Sequence, residues 1–194
     1  MIERVCSATP WEVDQVRRQI VSHITEAGER PGVYLEIGSF RGGSLEHFGG
    51  AMPAHGTLIA VDRPMACAGD TLANVANDLR KHYRVHCVAG DSHSPQTLSV
   101  VQDLLGPARV DVLLIDGDHS PAGALRDLDM YLPLVRTGGL VIMHDVGAPG
   151  CSAKEASTEL LAVQSGLHPL WREYSRGRRS LLLQEWAGYG LFWV

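Results

Sequence analysis

Five short apolar runs, separated by segments of helical spacing, constrain the fold of this chain more than any other feature. They are "VYLEI" (33–37), "TLIAVD" (57–62), "RVHCVAG" (84–90), "VDVLLID" (110–116) and "GGLVIMHD" (138–145). Most are apolar almost throughout rather than alternating, the pattern of strands covered by helices on both faces. Strand and helix then alternate as βαβ units, which require a mostly parallel sheet. The intervening helices are predicted near 43–51, 70–82, 94–105 and 121–133. Leu72, Val75, Ala76 and Leu79 recur at helical spacing, and Ser94 followed by Pro95 reads as an N-cap with proline at the first helical position. Past 150 the expectation is a helix over 152–165, then two closing strands, "LHPLWREY" and "GYGLFWV". Only the basic stretch "SRGRRSLLLQEWA" separates these two, so they are expected to pair antiparallel, with 172–180 as a solvated hairpin tip. The first 30 residues read as an amphipathic helical cap (1–30) ahead of one α/β domain (31–194).

Composition narrows the class. The 194 residues fit one domain with a full core. A net charge of −5 offers no global basic field for nucleic acid. The four cysteines, Cys6, Cys67, Cys87 and Cys151, form no C-x-x-C pair, which argues against a zinc knuckle or disulfide scaffold and fits a reducing cytoplasm. No apolar run reaches the ~18 residues of a membrane span, and the N-terminus has no apolar signal core.

Every strand end is polar. "YLEIGSFRGGS" places Glu36 at the end of the first strand, then Gly38, Ser39, Gly42, Gly43 and Ser44. Glycines there permit a tight turn and close backbone approach to a ligand, and a helix N-terminus follows. Phe40 stands where a dinucleotide G-x-G-x-x-G fingerprint needs glycine, so NAD binding is disfavoured. Asp62 ends the second strand, placed to accept hydrogen bonds from ribose hydroxyls, and Gly90, Asp91 and Ser92 end the third, where an adenine edge would sit. Asp116 ends the fourth strand, followed by Asp118 and His119; His144 and Asp145 end the fifth. Neighbouring strands lie ~4.8 Å apart, so Asp116 and Asp145 can share a cation. Oxygen ligands with open water positions suit magnesium or calcium.

In "LEIGSFRGGS", "IAVD", "GDS", "LLIDGDHSPAGALRDLDMYLPLVRTGGLVIMHDV" and "GYGLFWV" the chain resembles class I S-adenosylmethionine-dependent methyltransferases. More narrowly, it is similar to the metal-dependent macrocin-type O-methyltransferases of antibiotic sugars, over residues 33–194. The resemblance implies a doubly wound, Rossmann-like, seven-stranded, mostly parallel sheet with a C-terminal antiparallel pair. It implies that Glu36, Gly38, Ser39, Gly43 and Ser44 hold the methionine end of the cofactor, with Asp62 at the ribose, Asp91 and Ser92 at the adenine, and Asp116 between cofactor and metal. It further implies a metal held by Asp116, Asp145 and the residue before it. Here that residue is His144 where the family has an acid: magnesium is the expected ion, and His144 either shifts preference toward manganese, iron, nickel or zinc or does not ligate, which would weaken magnesium binding.

His119 matches the general base of some relatives, acting with Asp116 on a small-molecule hydroxyl that attacks the sulfonium methyl. Asp118 either orients His119, completes the metal shell or serves as a turn residue. His119 is either a base or a surface histidine. Asp116 and Asp145 either bind metal or cap loops in a metal-free enzyme. Another nucleophile, a non-methylating reaction or a silent binding protein are the alternatives on the same scaffold. Substrate contacts are expected from the N-terminal helix, the loops 63–70 and 146–155 and the hairpin near 174–187; Trp11 reads either as a core or cap residue or as part of the substrate mouth. The short substrate-side cover implies either an open site or a neighbouring subunit as lid, and the resemblance implies a homo-oligomer.

Overall fold

In a computed structural model, which describes residues 8–28, 30–64, 70–147 and 158–194, seven strands form one sheet. The chain runs α1 (Pro10–Glu26), β1 (Val33–Ile37), α2 (Gly43–His47) with a 3-10 turn (Gly49–Ala51), β2 (Thr57–Asp62), α3 (Asp70–Leu79), β3 (Arg84–Ala89) and α4 (Pro95–Leu105). It continues with β4 (Val110–Ile115), α5 (Pro121–Tyr131), β5 (Val135–His144), α6 (Thr158–Tyr174), β6 (Ser180–Leu183) and β7 (Tyr189–Trp193). The strand order is β3-β2-β1-β4-β5-β7-β6. β1 to β5 are parallel, and β7 runs antiparallel between β5 and β6. No helix among the described residues is long and apolar enough to cross a membrane.

The apolar strands are buried on both faces, as their composition demands. Leu35, Ile37, Leu113 and Ile115 point into one core with α4, α5 and Trp171. Tyr34, Val112 and Leu114 point into the other, against Val16, Ile20 and Ile24 of α1, Leu45 and Leu72. Glu36 alternates with Leu35 and Ile37 and so falls on the α1 face beside Tyr34. Ser94 caps α4 ahead of Pro95, as its sequence indicates, and Ser120 caps α5 by accepting from Gly123 N at 3.0 Å.

The C-terminal expectation needs correction. "LHPLWREY" is not a strand: it is the second half of α6, and Pro169 lies inside that helix. Leu167, Leu170, Trp171 and Tyr174 stand at helical spacing and pack on the first core, so burial of that stripe overrides the breaker signal. The partner of β7 is instead β6, drawn from the stretch assigned to the connection, with Leu181 opposite Leu191 and Leu183 opposite Tyr189. Residues 172–180 accordingly close α6 and turn at Gly177 rather than forming a hairpin tip. The predicted helix start at 152–157, most of the loops 63–70 and 146–155, and Cys6, Cys67 and Cys151 lie outside the described residues.

β1 sits where the chain order reverses, with β2 on one side and β4 on the other. Ligands of open α/β sheets bind at such a switch point, beyond the carboxyl ends of the strands. Ile37 pairs with Ile115, and Ile115 with Met143, so β1, β4 and β5 end almost flush. That register delivers Glu36, Asp116 and His144 to one edge.

Candidate active site

The turn after β1 can be built only with glycine at its head. Gly38 has φ +91°, and a Cβ there would stand 2.1 Å from the Asp116 carbonyl oxygen. The backbones of 38 and 116 are thereby brought together, with Gly38 N donating to Val61 O and Asp116 N to Ile37 O, both at 2.9 Å. Phe40 also takes a left-handed backbone, φ 43°, held by its N–H donating to the Asp62 carboxylate, which accepts from Arg63 N as well. A bulky residue in that region is uncommon and marks a shaped loop.

Glu36 is fully buried beneath this turn. It accepts a hydrogen bond from Tyr34 Oη at 2.8 Å. Its Oε1, and Ser39 Oγ beside it, are buried without a hydrogen-bond partner among the described residues. Burial pushes the Glu36 carboxyl up to about 7; Ser39, Tyr34 and Ser44 oppose that rise and the Asp116 charge adds to it. Buried polar atoms without partners are costly, and such pairs point to a ligand that satisfies them. A cavity of about 380 Å³ opens at this point, lined by Gly38, Ser39, Gly43, Ser44, Asp62, Asp116, His119 and His144, with Phe40, Arg63 and Tyr189. A small recess of about 40 Å³ continues it past Asp62 to Gly90, Asp91, Ser92 and Asp118.

On the other side of Asp116 stands a ring of two carboxylates and two imidazoles. His144 Nδ1 lies 3.0 Å from Asp116 Oδ1 and 3.4 Å from Asp145 Oδ1. One ligand atom from each of Asp116, His144 and Asp145 lies within 4.8 Å of the others. Asp145 has φ 57°, which turns its carboxylate back to the sheet edge. Its Oδ2 receives a close contact from His119 Nδ1, and His119 Nε2 is 3.9 Å from Asp116. The His144 ring packs on Tyr189 at 4.4 Å between centroids, and its Nε2 is buried without a hydrogen-bond partner among the described residues.

Charge dominates this ring. Burial alone would lower the His144 pKa, but Asp116 and Asp145 outweigh it and hold the imidazole well above its usual value. The bond to Asp145 raises His119 against the opposing effect of burial. Burial would raise Asp145, yet His144 and His119 hold it below the usual carboxylate range. Adjacent ligands of an octahedral cation at ~2.1 Å stand ~3.0 Å apart, so the Asp116–His144 spacing suits one. The mixed nitrogen and oxygen donors suit a transition ion more than magnesium.

The fold thus brings together all the predicted groups, in two lobes joined at Gly38 and Asp116. Asp118 lines the recess but serves the turn: its Oδ1 accepts from Ser120 N at 2.8 Å, a contact that holds its carboxyl below the usual range. Trp11 is exposed, so it is not a core residue, and it does not line the main cavity. Arg63 falls in the loop expected to contact substrate, whereas nothing in the sequence marks Tyr189, which reaches the site from β7. Nothing marks Asp127 either, fully buried with His93 Nε2 at 3.3 Å; an acid inside a helical pattern carries no signal of burial.

A recess beyond Asp62, a glycine turn over a buried acid and polar strand ends meet at the switch point of a doubly wound sheet. The sequence profile described as a methyltransferase domain matches residues 35–146, and the chain belongs to that family. An uncharacterised protein of Acanthamoeba polyphaga mimivirus is 29% identical over 115 residues, 58% of this chain and 50% of its own length. The 8-demethyl-8-alpha-L-rhamnosyl tetracenomycin-C 2'-O-methyltransferase of Streptomyces olivaceus is 32% identical over 63 residues, 32% of this chain and 16% of its length. The chain therefore spans half or less of these curated relatives. Among solved structures, the O-methyltransferase TomG of Streptomyces achromogenes, involved in tomaymycin synthesis and in complex with SAM, superposes with a TM-score of 0.67. It is 20% identical, with 96% of this chain and 81% of that one covered.

Proposed function

We propose that the protein transfers a methyl group from S-adenosylmethionine to a hydroxyl of a small molecule, assisted by a divalent cation. The observation that carries this is the pair of buried, unpartnered atoms, Glu36 Oε1 and Ser39 Oγ, one glycine turn away from the Asp116–His144–Asp145 cluster. The first lobe offers acceptors and a hydroxyl for the amino acid end of a cofactor, Asp62 for a ribose, and Asp91 and Ser92 for a base. That TomG carries SAM, and that the tetracenomycin relative methylates the 2'-oxygen of a sugar, supports both cofactor and acceptor class.

When bound, S-adenosylmethionine supplies the electrophilic methyl and the cation a Lewis acid for the acceptor hydroxyl. The chain's own groups do the rest. Asp116, His144 and Asp145 would hold the ion, with manganese or another transition ion favoured over magnesium by the imidazole. Asp145 fixes the Nδ1–H tautomer of neutral His119, leaving Nε2, on the cavity wall, to accept the hydroxyl proton. Tyr189 and Phe40 flank the cavity and restrict water.

A second mechanism has an observation of its own: both imidazoles already pair with carboxylates, so the ring balances its charge without an ion. Calorimetric titration of S-adenosylmethionine, with and without EDTA, followed by titration of manganese and magnesium, separates the two. Cofactor binding with manganese preferred over magnesium supports the cation mechanism. Cofactor binding with no heat from either ion supports the metal-free ring, and no cofactor binding refutes both. We extend the proposal to a homo-oligomer in solution, checked by sedimentation velocity.

A further inference from the structure

Glu12, in the first turn of α1, is fully buried although no cation pairs with it among the described residues. One of its oxygens does what a capping box requires. Oε2 accepts from Thr9 N at 2.9 Å, while Thr9 Oγ1 accepts from Glu12 N at 3.2 Å. The other oxygen exceeds that need. Oε1 accepts three backbone N–H groups, Glu185 and Trp186 at 2.9 Å and Gly188 at 3.0 Å. A carboxylate gathered by successive backbone amides is a nest with its anion supplied by the protein itself.

The loop gripped in this way leads directly to the cation cluster. Gly188 O accepts from Val146 N at 3.3 Å and Ala187 O from Gly147 N at 2.9 Å. Gly188 has φ +85°, and a Cβ there would stand 2.6 Å from Gly147, so the two loops are in backbone contact. The next residue, Tyr189, pairs with His144 and lies against its ring. Asp145, between these bonds, is the one cluster member with a left-handed backbone, a conformation aspartate tolerates better than most side chains.

We infer that Glu12 is a positioning residue, a clamp that holds the 185–188 loop on residues 146–147 and so fixes Asp145 and His144 for the cation. Its consequence for metal rests on the cation assignment above; the clamp itself does not. Gln at position 12 keeps the shape but turns a donor toward Thr9 N or toward the loop and removes the charge.

The test uses ¹⁵N-labelled full-length protein and three substitutions, with amide exchange read by NMR and Mn²⁺ and S-adenosylhomocysteine affinities by calorimetry. In E12Q the amides of Val146 and Gly147 exchange about tenfold faster relative to core amides, and Mn²⁺ binds at least about tenfold more weakly. S-adenosylhomocysteine affinity changes less than about twofold, because β4 and β5 stand between the Glu36 turn and the 185–188 loop. T9A loses the helix cap and the bond its hydroxyl donates to the Glu185 side chain, but keeps the three amide contacts to Glu12 Oε1, so it lowers the melting temperature and leaves exchange at 146 and 147 within about twofold of wild type. E12D keeps the charge and draws the oxygen back by about 1.5 Å; it reproduces the E12Q exchange pattern if E12Q does not fold. The clamp is refuted if exchange at 146 and 147 is unaltered in E12Q or E12D, or if T9A matches them. Should wild-type protein bind no Mn²⁺, the cation assignment falls alone, and the exchange rates still decide the clamp.

Discussion

Glu36 sets stability against function, and E36Q exposes the trade. Its carboxyl is fully buried, and burial raises its pKa from 4.5 to about 7. A raised pKa means the folded state holds a proton that the unfolded chain has released between those two values. Stability therefore falls as pH rises from 4.5 to about 7 and levels off above. At about 1.4 kcal/mol for each pH unit, ionising Glu36 costs the ligand-free fold roughly 3 kcal/mol at pH 8. Glutamine has the same shape and never ionises. It also keeps the contact with Tyr34 Oη. Ligand-free E36Q should thus exceed wild type by about 2–3 kcal/mol at pH 8 and match it at pH 4.5. The same change should weaken S-adenosylmethionine binding by at least about tenfold, because the orphaned Oε1 can no longer offer a charged acceptor. Urea unfolding of both proteins at the two pH values, with calorimetric titration at pH 8, measures each half. An E36Q protein that is less stable at pH 8, or a difference that does not change with pH, would refute the reasoning, as would unchanged cofactor affinity.

Gly38 tests the junction of the two lobes. In G38A the Cβ meets the Asp116 carbonyl at 2.1 Å in a left-handed backbone, so the end of β4 must move. The expected loss is about 3–5 kcal/mol, a melting temperature lower by about 8–15 °C, with cofactor binding abolished; a melt within error of wild type contradicts it. Asp145 tests the base. Its bond raises His119, so turnover should climb through a pH above the imidazole's ordinary value as His119 loses its proton. D145N should move that limb to lower pH and slow turnover by about 10–100-fold; an unmoved limb in the pH profile of kcat/KM removes His119 from the reaction.

Much of this was written locally. The apolar runs that had to be parallel strands, the glycine forced by the turn after β1, the serine and proline caps, and the acids at the strand ends could all be read from neighbours a few residues apart. Helical and strand periods, turn chemistry and capping are short-range physics, so they survive in a linear text. At 167–174 two local signals disagree: Pro169 opposes a helix, and the Leu167, Leu170, Trp171 and Tyr174 stripe supports one. Burial decided it, and burial exists only once the sheet is present.

What the tertiary structure alone determined is of a different kind. Whether Asp116 and His144 face each other depends on the register between Ile115 and Met143, which no stretch of sequence records. The contact of Asp145 with His119, the ring of Tyr189 on His144 and the grip of Glu12 on residues 185–188 join positions far apart in the chain. Those contacts set the charge balance at the site, because Coulomb energy and desolvation depend on distance in space and not on distance along the backbone.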